Sequence, residues 1–218
     1  DGNTSNVATL TVTVGSCSIL DLAIDCDGDG VTNGTEVIDG TDPLNNCDFL
    51  IGSITLPITG AADCDGDGVP NSQEATDGTN PNDPCDFVLA NQSQAPSAAW
   101  NALDCDGDGV TNGAEVIDGT DPLNNCDFLI GSITLPITGA ADCDGDGVPN
   151  SQEATDGTDP LDPCGFVLAN QSQAPSAAWD ALDCDGDGVT NGTEVIDGTD
   201  PLDPCSLIVL SQTLTPTA

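Results

Sequence analysis

The 218-residue chain contains no lysine, no arginine and no histidine. It carries 38 acidic side chains all the same, so its formal net charge is −38 with no internal counter-ion. Phosphate contacts need Lys or Arg, and their absence excludes nucleic acid as a partner. Acid–base catalysis loses its commonest agents with His and Lys, and the Asp residues carry no catalytic signature, so the chain is not expected to be an enzyme. Aromatics are scarce, four Phe and two Trp with no Tyr, which leaves little apolar volume for a large core. No run of 18 apolar residues occurs, and no membrane insertion is expected. A secretory signal is missing too, so the chain is expected to be a mature protein or a segment of one.

What the chain has instead is 11 Cys, 25 Gly and 15 Pro. Cysteine this dense and this regular, in a loop-rich chain, implies a disulfide framework, and disulfides persist in oxidising places. The expected location is extracellular or at the cell surface. The unbalanced charge allows two explanations, a solvated disordered chain or an array of cation sites. The placement of the acids decides between them.

The chain is built from repeats. DCDGDGVTNG starts at Asp25, Asp104 and Asp183, and DCDGDGVPNS starts at Asp63 and Asp142. Like segments lie 79 residues apart, and each period holds units of 38 and 41 residues. The expected divisions are a terminal segment 1–16, then repeats with their linkers at 17–62, 63–103, 104–141, 142–182 and 183–218. The stretch ATLTVTV alternates as a half-buried strand does, so 1–16 is expected to be a short β-strand. A lone strand is not stable, so it is expected either to end an immunoglobulin-like domain or to pair with another subunit.

In the first unit Asp25, Asp27 and Asp29 fall at loop positions 1, 3 and 5, Gly30 at 6, Asn33 at 9 and Glu36 at 12. This is the ligand spacing of an EF-hand-type calcium loop. Calcium is a hard cation that takes six to eight oxygens, and alternate acids on a tightly turned backbone converge on one point. Val31 is expected to offer its carbonyl, Asn33 to reach the ion directly or through water, and Glu36 to close the sphere with two oxygens. The second set is Asp63, Asp65, Asp67, Val69, Asn71 and Glu74; the third is Asp104, Asp106, Asp108, Val110, Asn112 and Glu115. The fourth is Asp142, Asp144, Asp146, Val148, Asn150 and Glu153, and the fifth Asp183, Asp185, Asp187, Val189, Asn191 and Glu194. The sequence has five Glu, each at position 12 of a loop. A disordered acidic chain would scatter them. At least five calcium ions are expected.

After position 12 the units run through one or two expected helical turns into GTDP or GTNP, where Gly suits a helix end and Pro blocks continuation. Asp42, Asp121, Asp159 and Asp200 lie at this turn, with Asn80 in the second unit. Two roles stand open for them, a further oxygen for an ion or a turn cap. Each linker adds a small apolar set expected to cluster beside a loop: Phe49, Leu50, Ile51, Ile54, Leu56 and Ile58 in one type, Phe87, Val88, Leu89, Trp100 and Leu103 in the other.

The combination D-x-D-G-D-G-V-x-N-x-x-E followed by GTDPL resembles bacterial thrombospondin type 3 repeats. The likeness covers residues 25–47 and four further copies. It implies a mostly irregular chain with little regular secondary structure, wrapped around calcium ions and acting as a spacer in large secreted or surface proteins. The near-identical repeats resemble those of giant surface adhesins and extracellular filament proteins. The loops are also similar to dockerin loops, but the helix that would carry a dockerin's partner face is cut short by DGTDP.

The cysteines allow two pairings. Within-unit pairing joins Cys26 to Cys47 and its equivalents and leaves Cys17 free. Between-unit pairing joins Cys17–Cys26, Cys47–Cys64, Cys85–Cys105, Cys126–Cys143 and Cys164–Cys184, and leaves Cys205. The second is expected, because no earlier unit would own Cys17. The fold expected is therefore an elongated rod of tandem EF-hand-like loops with disulfides. Its expected role is a calcium-stiffened stalk or fibre, with copies of itself as filament partners. The alternative is a calcium-dependent binding module, dockerin-like or carbohydrate-binding.

Overall fold

A computed structural model describes residues 17–208 and 211–212 of the chain. The strand expected over 1–16 lies outside the described residues. Among the described residues there is no strand, and no helix is long and apolar enough to cross a membrane. The chain divides into two units, Asp1–Trp100 and Asn101–Ala218.

In the first unit the regular elements are α1 (Asn33–Asp39) and α2 (Asn71–Asp77), with single 3-10 turns at Ile51–Ser53 and Leu89–Asn91. The second unit holds α3 (Asn112–Asp118), α4 (Asn150–Asp156), the short α5 (Ala177–Asp180) and α6 (Asn191–Asp197), with turns at Ile130–Ser132 and Leu168–Asn170. Five of the six helices have seven residues and follow a calcium-type loop. Each of these ends at a glycine in the left-handed region, such as Gly40 at φ 83°. There the N–H groups of Gly40 and Thr41 both bond to the carbonyl of Glu36. That double bond caps the helix and turns the chain back over its last turn.

These helices invert the usual amphipathic pattern. The buried residues of α1 are Asn33 and Glu36, whereas Val37 and Ile38 are 63% and 85% exposed. Three residues apart, Asn33 and Glu36 share one face. The helix therefore packs through polar side chains, and apolar burial does not hold it in place.

Among the described residues apolar packing forms small clusters. Val69, Phe87 and Trp100 pack with Leu89 in the first unit, and Val148, Phe166 and Trp179 with Leu168 in the second. Phe87 meets Trp100 edge to face at 5.6 Å, and the Trp100 ring N–H donates to the Pro84 carbonyl. Ser97 caps the short turn that delivers Trp100, accepting from its backbone N–H, and Ser176 does the same for Trp179. The other linker type departs from expectation. Phe49 is buried, but Leu50, Ile51 and Leu56 are exposed. The reason is that this linker lies as a single layer along the loop backbone: Thr55 and Leu56 donate to the Gly30 carbonyl, and Thr59 to that of Gly28. A one-layer strap has an outer side.

That strap explains a second glycine. Gly28 and Gly30 both have φ near +90°, and a Cβ on Gly30 would stand 2.7 Å from the Leu56 carbonyl oxygen. Gly66 and Gly68 admit the strap of the next linker in the same way, where Ser93 and Gln94 donate to the Gly68 carbonyl and Ser97 to Gly66. The loops are thus held from outside by the linkers that follow them.

Disulfides join Cys17–Cys26, Cys47–Cys64, Cys126–Cys143 and Cys164–Cys184. Cys85 and Cys105 are also disulfide-bonded, and Cys205 is free and exposed. These four bridges follow the between-unit pattern, each tying the segment before a loop to loop position 2.

Candidate metal centres

Each loop folds around its own first aspartate. Asp25 accepts from the N–H of Gly28 through Oδ1 and from that of Gly30 through Oδ2. Asp27 then accepts from the Asp29 N–H, and Asp29 from the Val31 N–H, each through Oδ1. The same ladder recurs from Asp63, Asp104, Asp142 and Asp183. At Asp27 and Asp29 the bond takes one carboxylate oxygen and leaves the other without a partner, whereas both oxygens of Asp25 accept from the backbone.

The carboxylate oxygens converge. In all five loops one carboxylate oxygen from each of the three Asp lies within 4.8 Å of the others. Oδ2 of Asp27 and of Asp29, and both oxygens of Glu36, are buried with no hydrogen-bond partner. The same four atoms are orphaned in the other four loops, at Asp65, Asp67 and Glu74, at Asp106, Asp108 and Glu115, at Asp144, Asp146 and Glu153, and at Asp185, Asp187 and Glu194. Each of the five Glu is fully buried.

Burial pushes the carboxyls of Glu74, Glu115 and Glu153 up to about 8, and the neighbouring Asp carboxylates push the same way. Glu36 and Glu194 rise to about 7 for the same reasons. Burial lifts Asp67 and Asp144 to about 7, although backbone N–H bonds draw them down. A buried anion without a partner is costly. The chain has no Lys, Arg or His to supply one. The oxygens fit a hard divalent cation, which takes carboxylate oxygens from several residues at once. Asp25, Asp27, Asp29 and Glu36, with their equivalents, are the residues that would hold it.

Position 9 is bonded to the cysteine of its loop. Asn33, expected as an ion ligand, turns its amide to the cysteine at position 2: Oδ1 accepts from the Cys26 N–H and Nδ2 donates to Cys26 Sγ. Nδ2 also donates to the Asp21 carbonyl. Asn71 clasps Cys64, Asn112 clasps Cys105, Asn150 clasps Cys143 and Asn191 clasps Cys184 through the same two bonds. The amide is spent on the backbone and the disulfide. Val31, Val69, Val110, Val148 and Val189 are buried, and each donates its N–H to the position-5 Asp.

The turn aspartates Asp42, Asp121 and Asp159 lie near enough for their charge to add to the rise at Glu36, Glu115 and Glu153. Asp42 accepts from the Leu44 N–H, and Asp121, Asp159 and Asp200 make the equivalent bond. Asn80 makes it too, with the N–H of Asn82. That bond caps the turn through one side-chain oxygen, with Asp and Asn alike.

The sequence reasoning missed another acid. Asp48 follows the second cysteine of the first unit, accepts from the Asp42 N–H, and its charge adds to the rise at Asp29. Asp86 and Asp127 act likewise on Glu74 and Asp108. Their signal was the recurring Cys-Asp-Phe. In the fourth and fifth units Gly165 and Ser206 take that place, and the Ser206 hydroxyl still accepts from the Asp200 N–H.

The family model described as Bacterial TSP3 repeat matches residues 25–46, 63–84, 104–125, 142–163 and 183–204. No curated protein and no solved structure matches the chain. The five matched segments each contain one Asp triad and its glutamate, and together they make up half of the sequence: the chain is a tandem array that belongs to the bacterial TSP3 repeat family.

Proposed function

We propose that the chain is an extracellular, calcium-binding structural array, a stiff spacer or fibre segment of a bacterial surface adhesin or filament, and that it performs no catalysis. The observation that carries this is the set of buried carboxylate oxygens without partners, repeated in five loops of a chain that has no cationic side chain. An all-oxygen donor set of this kind suits calcium, and extracellular modules of this type bind it with dissociation constants of roughly 0.1–1 mM. The disulfides fit an oxidising compartment. All five Glu belong to the cation sites, which leaves no acid–base pair for chemistry. Repeats stabilised one after another by ions and by staples suit a load-bearing or spacing role.

Small-angle scattering in millimolar calcium and then in chelator tests this. A stiff elongated particle that slackens on chelation is the expected result. A compact particle in both conditions would overturn it.

One observation favours a binding module as the second reading. The helices of the odd repeats expose apolar pairs, Val37–Ile38, Val116–Ile117 and Val195–Ile196, where the even repeats have Ala75–Thr76 and Ala154–Thr155. Exposed apolar residues suit a partner surface better than a bare spacer does.

A further inference from the structure

The sequence contains three Asn-Gly pairs, Asn33–Gly34, Asn112–Gly113 and Asn191–Gly192, all at loop positions 9 and 10 of the odd repeats. In the even repeats the equivalent asparagines are followed by Ser72 and Ser151. Packing demands each glycine. A Cβ on Gly34 would stand 2.7 Å from the Leu22 carbonyl oxygen, one on Gly113 2.9 Å from Asn101, and one on Gly192 2.8 Å from Asp180. In the even repeats the preceding linker leaves room for a side chain, and the Ser72 and Ser151 hydroxyls donate to the Gly60 and Gly139 carbonyls. The clasp on the cysteine demands each asparagine, and Asn33, Asn112 and Asn191 are all buried.

Asn-Gly is the pair best built to lose its own amide, because glycine has no Cβ to hinder its backbone nitrogen. That nitrogen attacks Cγ of the asparagine. The Cγ–Nδ2 bond breaks, and Nδ2 leaves as ammonia with the proton that the glycine N–H gives up. Water then opens the succinimide to aspartate or isoaspartate, with no oxidant or reductant. The fold denies this step at both nitrogens. Asn33 opens α1 in helical backbone, and the Gly34 N–H is bonded to the Leu22 carbonyl. The departing nitrogen of Asn33 donates to the Asp21 carbonyl and to Cys26 Sγ, and that of Asn191 to the Trp179 carbonyl and to Cys184 Sγ. We propose that Asn33, Asn112 and Asn191 are deamidation sites gated by the fold, closed while a repeat is folded and open once it unfolds. The product cannot rebuild the clasp, because a carboxylate oxygen accepts where the amide nitrogen donated, and the facing carbonyl loses that donor. An odd repeat that stays open is thereby marked and barred from closing as before, whereas an even repeat recloses.

The test incubates the full chain at mildly alkaline pH in two states. One is native, with disulfides intact in millimolar calcium; the other is reduced, alkylated and held in urea. Pepsin digestion in acid stops the reaction, and peptide masses report the exchange of amide for acid, to which isomerisation at Asp-Gly pairs adds nothing. In urea, deamidation is expected at Asn33, Asn112 and Asn191 ahead of Asn71 and Asn150. In the native state no loss of amide is expected at any of these positions over the same interval. Equal extents in the two states would overturn the gate. So would a urea state without deamidation at the Asn-Gly pairs, or one in which Asn71 and Asn150 keep pace with them. Asn33→Asp, Asn112→Asp and Asn191→Asp, made one at a time, stand for the aspartate product. Each is expected to lower the melting midpoint or to leave its repeat unfolded. A midpoint equal to that of the wild-type chain would overturn the claim that deamidation bars reclosure.

Discussion

Asn71 and Cys64 hold each other across the second loop: the asparagine oxygen accepts from the cysteine N–H at 3.0 Å, and its nitrogen donates to the sulfur at 2.8 Å. The cysteine stands between Asp63 and Asp65 and is bridged to Cys47. One side chain therefore fixes the loop's entry, the staple and the start of α2 together.

Asn71→Ala breaks this clasp and leaves the Cys64 N–H without its partner. The expected cost is about 1–3 kcal/mol. It should appear in chelator as well as in calcium, because the amide serves the fold. Denaturant unfolding in both conditions measures it. A loss seen in calcium alone would return Asn71 to the ligand set.

Glu74→Gln should behave in the opposite way. The change keeps the volume and removes a buried carboxyl that has no partner in the metal-free fold. The metal-free midpoint is expected to stay level or rise, while calcium affinity at that site falls by at least about tenfold, since an anion beside a cation is worth several kcal/mol at short range. Calorimetric titration and scanning calorimetry of the same variant give the two numbers.

The carboxyls set a pH window. Glu74, Glu115 and Glu153 titrate near 8 in the metal-free fold, against an ordinary value of 4.5. A raised acid stabilises the fold while it is protonated, fully below its unfolded value, and that contribution is lost as pH rises through the folded value. The metal-free chain should therefore lose stability between about pH 4.5 and 8. Calcium must displace those protons, so its affinity should climb through the same window. Melting midpoints in chelator should fall, and the added stabilisation by calcium should grow, from pH 5 to pH 8.

Two glycines with the same backbone angle should differ in their tolerance. Gly68 has φ +92°, and a Cβ there would meet the Gln94 carbonyl oxygen at 2.8 Å. Gly78 has φ +81° with nothing within 4 Å. Gly78→Ala carries only the left-handed strain, roughly 1–2 kcal/mol. Gly68→Ala adds the clash with the strap, for a sum of roughly 2–5 kcal/mol. Thermal unfolding in saturating calcium ranks them, and equal costs would mean that the strap does not clamp the loop.

The carboxylate clusters were legible because their members are local. Asp25, Asp27, Asp29 and Glu36 sit within twelve residues, and the pitch of the turn leaves the backbone few ways to arrange them. The short helix and its glycine stop were legible for the same reason. Asn33 was not, because a side-chain amide serves an ion or a backbone equally well, and its choice here depends on a cysteine seven residues away. Asp48 was hidden because it reaches its neighbours only after the chain turns back at Asp42. Gly28 is called for by its φ of +86° and also by the approach of Thr59, which no local pattern connects to it. The exposure of Leu50 and Ile51 followed from the linker's path along the loop, whereas the sequence showed only that they are apolar.

On the proposed function, the orphaned carboxylate oxygens are cation sites that carry the fold. Equilibrium dialysis against millimolar calcium, with the metal bound per chain counted by atomic emission, tests it most directly. At least five calcium ions per chain are expected, lost together with the native melting transition when chelator is added. A chain that binds no calcium and keeps its melting transition in chelator would contradict the account.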